Sequence, residues 1–520
     1  MCDVSAQGLS GGSSRSHPAY SEVSTIVPAA GNRNNSSGTS INNVGSNGNC
    51  WSSSANSDTN ARNLNLNGTN FNWNNNNRAN GLTVRPVLEV TTSATAVTLV
   101  AGVQPSFPSC QMKLTEQNIR DDINVAYLDA RRFKRPTIAQ MEFEEYQEVS
   151  LEGLVSALVT RTYKPLPAFC FITFDPVQRE VFASQFPDRV VQHMLYNYLA
   201  PFFERLFIHD TYSCRLGMGT DYGVKRYCHH LRSVTDNFTK EAWVLMVDLS
   251  GYFMSIDKAL LFDTIMHELT SKADRLSDDH VHTWGEKLDI DFCEYLLHCF
   301  LDRNPAKDRI KLGKPSNWIG LPANKQLENS PEGIGIVIGD IISQLFSNIN
   351  LNLTDQWAKR EMQLEHWGHY VDDHFVMSMD LDLLNRLQDE ILPEAFKNIA
   401  HVNLHPKKCH IVPADGANQF LGAYIRKGFL LPRQRTVDKF VMKMQMKEYD
   451  LMINTPTLQE LLDIRASVNS YLGILSHYKS FNLRKKYIDT PAFNKYFLLD
   501  EEMHKITLKK QYLHDPYLIW

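Results

Sequence analysis

The first 112 residues contain no lysine at all; the first is Lys113. No apolar run in the 520 residues approaches the roughly 18 a membrane-spanning helix needs, so no membrane span is expected. The first twenty residues, MCDVSAQGLSGGSSRSHPAY, lack a basic stretch followed by an apolar one, and no secretion signal is expected there. No two of the nine cysteines form a CxxC pair. That spacing disfavours a structural zinc site, and reduced thiols in a cytoplasmic protein are the simplest expectation. Nor is there a basic excess: the formal net charge is −5. Positive charge is instead concentrated locally. Residues 401–520 hold 18 Lys and Arg against 11 Asp and Glu, which suits phosphate contacts made by one region.

Composition divides the chain near Met112. Between Gly31 and Asn80, 19 of 50 residues are Asn, ending in the run Asn74–Asn77. A segment with so little to bury is expected to be disordered or weakly folded, with room for short β-rich patches at 82–90 and 94–103. From Lys113 onward the composition is globular, with 43% hydrophobic residues over the whole chain. Helical spacing appears at 113–132, 151–163, 188–207, 257–269, 289–301, 341–362 and 382–396. Strands are expected at 168–175, 180–184, from 243, and in pairs at 369–377 and 416–431. From Thr436 the chain reads as helical and basic. The predicted fold class is α+β, with helices on an antiparallel sheet. The predicted divisions are a low-complexity extension at 1–111, a mixed domain at 112–430 and a basic helical domain at 431–520.

Residues 369–377, HYVDDHFVM, place two adjacent carboxylates among apolar residues. Such carboxylates cost free energy to bury unless they are paired or ligated. The run WVLMV ends in Asp248, a third carboxylate at the end of an expected strand. Two or three carboxylates at strand ends can hold Mg²⁺, which takes few protein oxygens and keeps several waters. Two such ions side by side are the arrangement that serves nucleotidyl transfer.

These segments resemble the reverse transcriptases. VDLSGYFMSID (247–257) and YVDD (370–373) are similar to the two carboxylate motifs of that family. The resemblance implies a right-hand polymerase of fingers, palm and helical thumb. It assigns Asp248, Asp372 and Asp373 to catalysis and to two Mg²⁺ ions. Phe253 matches the aromatic beneath the sugar that excludes a ribose 2′-hydroxyl. DPVQREVFASQFPDRVVQH (175–193) resembles the fingers segment, which implies that Arg179 and Arg189 meet the incoming triphosphate, as an Arg fork suits phosphate oxygens. LHPKKCH (404–410) implies a role for Lys408 near the leaving pyrophosphate. FLGAYI (420–425) resembles a hairpin that grips the primer. Arg484, Lys485 and Lys486 fall where a thumb would meet the duplex backbone.

Within the family, GIVIGDIISQLFSNINLNLTD (335–355) separates the branches. Retroviral and group II intron enzymes carry Gln-Gly there, followed by Ser-Pro. This chain has Ile338-Gly339 and, further on, Ser343-Gln344. That pattern resembles the reverse transcriptases of diversity-generating retroelements, as do SCRLGMGT (213–220) and NWIGLPANKQL (317–327). Val337 departs from the family's usual Pro and loses a fixed φ. The resemblance implies error-prone copying of template adenines, mutagenic retrohoming, and binding of template RNA, primer or cDNA, and dNTPs. It also implies a small basic helical accessory protein and a bacterial or phage-encoded source. Ile338 offers apolar contact where Gln offers a hydrogen bond, which fits a less discriminating pocket. Residues 43–90 resemble the variable end of such elements' lectin-like target proteins, which leads us to expect a translated template repeat preceding a polymerase that starts at Met112. A retron or phage-defence reverse transcriptase, a lectin-like display protein and an inactive polymerase-fold scaffold remain as alternatives from the sequence.

Overall fold

Strand Trp243–Asp248 is apolar along nearly its whole length because it is paired on both edges and covered on both faces; Val244, Leu245 and Val247 are buried. It lies third in a four-stranded antiparallel sheet in the order His366–Tyr370, Asp373–Ser378, Trp243–Asp248, His410–Pro413. The computed structural model describes residues 112–132, 136–174, 177–273 and 284–513, together with strands at 30–33, 41–44, 47–55, 60–67 and 70–77.

The chain divides into two units, 1–109 with 276–282, and 110–275 with 283–520. In the first unit, five strands lie within the segment expected to be disordered or weakly folded. Asn47–Ala55, Asn60–Asn67 and Asn70–Asn77 form an antiparallel three-stranded sheet, and Ala30–Arg33 pairs with Ile41–Val44. The physical reason is local patterning. Apolar residues alternate with Asn in NLNLN and NFNWN, a period of two that favours strands even where total hydrophobicity is low. The register sets Leu64 opposite Trp73 and Leu66 opposite Phe71. The β-patches expected at 82–90 and 94–103 lie outside the described residues.

The second unit is α+β with several small sheets. Helices Glu116–Arg131, Phe186–Phe203 and Ile341–Gln356 form one core with the central sheet, through residues such as Ile123, Val190, Leu199, Phe346 and Trp367. Thr115 starts the first of these with a reciprocal capping box to Asn118. A second sheet joins Arg179–Ala183 to Ala168–Thr173, and Arg309–Lys311 adds to it in parallel. A three-stranded meander follows at Asn418–Phe420, Ala423–Arg426 and Phe429–Pro432.

The C-terminal part has its own apolar core around Phe440, Leu461, Leu472 and Phe493. Its helices Gln434–Ile453 and Leu458–Ser476 match the helical expectation. The all-helical expectation is corrected at Phe497–Leu499 and Ile506–Leu508, which pair as a hairpin. Its turn is closed by the Lys505 amide donating to Asp500 Oδ1 at 2.8 Å, a side-chain interaction that periodicity does not register. Among the described residues, no helix is long and apolar enough to cross a membrane.

Candidate active site

The register of the central sheet brings the carboxylates together. Asp373 and Asp248 are direct cross-strand partners, and Tyr370 pairs with Asp373 to close a two-residue turn, Val371–Asp372. Adjacent strand residues point to opposite faces, so the turn is what allows Asp372 to join the same site. It does so at the expense of strain, since Val371 has φ 52°, an outlier for a β-branched residue.

Lys408 Nζ donates to both Asp248 oxygens at 2.9 Å. The segment before Lys408 is fixed by the His405 amide, which donates to the Asp248 carbonyl at 2.7 Å. Asp373 reaches solvent, but protein closes in on several sides of its carboxyl. Desolvation, then the charges of Asp372 and Asp248, push it up to about 7 against the pull of Lys408 and Arg179. Desolvation and Asp248 also raise Asp372. Mutual repulsion of this kind is relieved by a cation.

The donor set is oxygen only, as Mg²⁺ prefers. Among the described residues, no three His, Cys, Asp or Glu side chains converge tightly enough to hold a metal unaided. Mg²⁺ does not require that, because it binds one or two carboxylates and completes its shell with water and phosphate oxygens. The residues present therefore fit Mg²⁺ and do not fit a structural zinc.

Two clefts meet at the carboxylates, sharing Asp373, Lys408 and Leu421 as common wall, with Asp248 lining the smaller and Asp372 the larger. The larger, about 650 Å³, is lined by Arg179, Phe253, Ile338, Gly339 and Gln344. The other, about 530 Å³, is lined by the hairpin residues 417–423 and by Arg433. The larger cleft's geometry rests on close backbone contacts. Gly251, at φ +57°, lets the Asn324 carbonyl lie where a Cβ would be only 2.5 Å away. Gly339, at φ +134°, leaves room for the Phe182 carbonyl 2.2 Å from its virtual Cβ, and the Phe182 amide donates to the Ile338 carbonyl at 2.9 Å. Tyr252 anchors the turn beneath Phe253 by donating to the Ser347 carbonyl at 2.7 Å.

Two expected site residues are placed elsewhere. Arg189 donates to the Ala130 carbonyl at 3.0 Å and its guanidinium lies 5.6 Å from the Phe186 ring centroid, so it ties two helices together and does not line the cleft. Arg484 is buried, with 4% of its surface exposed, and donates to the carbonyls of Met503 at 2.6 Å and Glu502 at 3.0 Å. It therefore braces the C-terminal hairpin and presents no charge for a ligand. The neighbouring Lys485 and Lys486 are exposed.

The cleft also contains residues that sequence reading had not assigned to a site. Asn324 and Lys325 come from the 317–327 segment, which folds over the second sheet. Buried Glu180 fastens that segment by accepting from Trp318 Nε1 and the Leu327 amide, both at 2.9 Å. Asp340 accepts from Ser184 Oγ at 2.8 Å and Gln192 Nε2 at 2.7 Å, joining the Ile338–Gly339 strip to the helix beginning at Phe186. The Trp-x-x-Leu-Pro-x-x-Lys pattern marked the 317–327 segment, but nothing in its spacing located it above the carboxylates.

No family model matches the chain, and no curated protein matches it. Among solved structures, part of it is similar to telomerase from Candida albicans in complex with a TWJ fragment of telomeric RNA, with a TM-score of 0.33 and 10% identity. That likeness covers 67% of this chain and 60% of the telomerase chain.

Proposed function

We propose that the protein is an RNA-directed DNA polymerase of the diversity-generating retroelement type, which makes adenine-miscopied cDNA from a template-repeat RNA. The carrying observation is the cross-strand pairing of Asp248 with Asp373 beside Asp372, at the junction of two clefts. Asp248, Asp372 and Asp373 would hold Mg²⁺, which supplies neutralising charge for nucleotidyl transfer. The remaining roles belong to side chains. Arg179, whose charge acts on Asp372 and Asp373, lines the larger cleft and offers its guanidinium to a triphosphate there. Lys408 stands at the shared wall, within reach of departing pyrophosphate. Phe253 presents a flat apolar edge to the sugar. Ile338 and Gln344 border the base, and Ile338 supplies shape without a hydrogen bond. The second cleft, with the hairpin residues 417–423 and Arg433, suits the end of a primer strand.

In this reading the two units of the structure separate a translated template repeat from the polymerase proper, and fingers, palm and thumb are its parts. An accessory protein supplying positive charge is physically reasonable for a chain of net charge −5 that must hold RNA. The test is primer extension on an RNA template with dNTPs and Mg²⁺, with sequencing of the product. Extension that is lost in Asp373→Asn, with errors concentrated at template adenines and reduced in Ile338→Gln, is the expected result. A folded wild-type protein that extends no primer sinks the polymerase reading. An adenine error rate unchanged by Ile338→Gln sinks the role of Ile338.

A further inference from the structure

The Val371–Asp372 turn is strained, and strain of this sort costs about 1–3 kcal/mol and persists only where the surroundings over-determine it. The surroundings here are two histidines. His369 and His374 are cross-strand partners whose rings stack at 4.5 Å with an interplanar angle of 12°. His369 Nδ1 lies 3.1 Å from the Val371 carbonyl, and His374 Nδ1 lies 3.2 Å from the Asp372 carbonyl. A carbonyl only accepts, so both ring nitrogens donate. Each carbonyl of the two-residue turn is thus held by one ring.

His369 is itself fixed from behind. Its Nε2 lies 2.9 Å from Asp355 Oδ2, and both side chains are fully buried. Asp355 also accepts from Trp367 Nε1 at 2.7 Å and Thr211 Oγ1 at 2.9 Å. The His369 ring thus bridges the Asp355 carboxylate and the Val371 carbonyl, with Thr211 Oγ1 a further 3.2 Å neighbour of its Nε2. Burial alone would raise Asp355, but the His369 charge and the hydrogen bonds from His369 and Trp367 outweigh it and hold the carboxyl below its ordinary range. A buried carboxylate bonded to an imidazole is an expensive way to fill a core that apolar residues fill as well. The burial of this one directly beneath the carboxylate turn calls for a role beyond packing.

We propose that Asp355 and His369 are positioning residues: the pair aims the His369 N–H at the Val371 carbonyl and so holds the strained turn that presents Asp372 to the metal and substrate. This rests on the polymerase reading for its catalytic consequence. The chain of contacts runs from Asp355, at the end of helix Ile341–Gln356, through His369 to the turn, and so couples the core helix to the carboxylates.

Two replacements of His369 separate the role from simple packing. His369→Asn keeps a donor near the Nδ1 position, toward Val371, and gives up the Asp355 contact. His369→Gln keeps a donor near Nε2, toward Asp355, and gives up the turn. Three measurements are made on the full chain: thermal unfolding, Mn²⁺ binding followed by electron paramagnetic resonance of the free ion, and single-turnover primer extension. His369→Gln is expected to weaken Mn²⁺ binding by roughly 10- to 100-fold and to slow extension on the order of 10²-fold, with little change in nucleotide KM. His369→Asn is expected to stay within several-fold of wild type on both, although it is the less stable of the two. Equal losses in the two variants, tracking their unfolding temperatures, overturn the proposal. Should His369→Gln fail to fold, the nearly isosteric Thr211→Val removes one donor from Asp355, and unchanged Mn²⁺ affinity in it counts against the pair. If the wild type binds Mn²⁺ but extends no primer, the polymerase reading fails while the binding series still decides the turn. Absence of Mn²⁺ binding to the wild type overturns both.

Discussion

Gly339→Ala is the most direct probe of how the larger cleft is built. At φ +134° any L side chain is strained, at about 1–3 kcal/mol. The new methyl would also sit 2.2 Å from the Phe182 carbonyl oxygen, where real Cβ contacts lie beyond 3.0 Å. The two backbone strips must then part by most of an ångström. That separation breaks the hydrogen bond from the Phe182 amide to the Ile338 carbonyl, a further loss of about 0.5–1.5 kcal/mol. The sum is about 1.5–4.5 kcal/mol, and Ile338 moves away from the cleft. Gly428→Ala is the control: its φ is +74° with nothing within 4 Å of a Cβ, so it carries the backbone strain alone. Thermal unfolding should place Gly339→Ala several degrees below Gly428→Ala. Steady-state primer extension should show a raised nucleotide KM in Gly339→Ala only. Equal melting temperatures and equal KM values for the two variants would refute the steric reasoning.

Two further expectations concern charge. Asp373 is pushed up to about 7, and Asp372 is raised too, so the folded protein binds protons that the unfolded chain has released. The contribution of these carboxyls to metal-free stability is therefore greatest below about pH 4 and falls as the pH rises from there to about 7. Added Mg²⁺ should accordingly raise the melting temperature more at pH 8 than at pH 6, and a stabilisation independent of pH would contradict the shift. In the C-terminal part, Arg484→Ala should cost roughly 3 kcal/mol in denaturant unfolding, because it strands the Met503 and Glu502 carbonyls. Lys485→Ala with Lys486→Ala should leave stability unchanged and weaken binding to an RNA–DNA duplex; the opposite pattern in filter binding would show that Arg484 meets the ligand.

The carboxylates were legible because their chemistry is local. An Asp pair set in an apolar hairpin and an Asp ending an apolar strand are visible without knowing what lies beside them. The cross-strand partnership of Asp248 and Asp373 follows once both strands join one sheet. Arg189 and Arg484 were not legible, because an exposed basic residue and a buried one bonded to carbonyls look the same in sequence. Arg484 lies on the inward face of the short helix Phe481–Ile488, while Lys485 and Lys486 face outward, a distinction made by tertiary packing alone. The same holds for Glu180 and Asp340, whose partners are 138 to 156 residues away. In the first unit, composition concealed alternation, and a low average hydrophobicity hid the period-two pattern of 63–73.

The two-residue turn between Tyr370 and Asp373 has a consequence for which lengths of chain can change. Register in a sheet advances in whole residues, about 3.3 Å at a time, and each step reverses the face. One residue gained or lost within Trp243–Asp248 would carry Asp248 past Asp373 and aim it into the core. The same holds for either arm of the hairpin. Relatives of this protein should therefore stay invariant in length from 366 to 378, where the register of the hairpin sets the carboxylates.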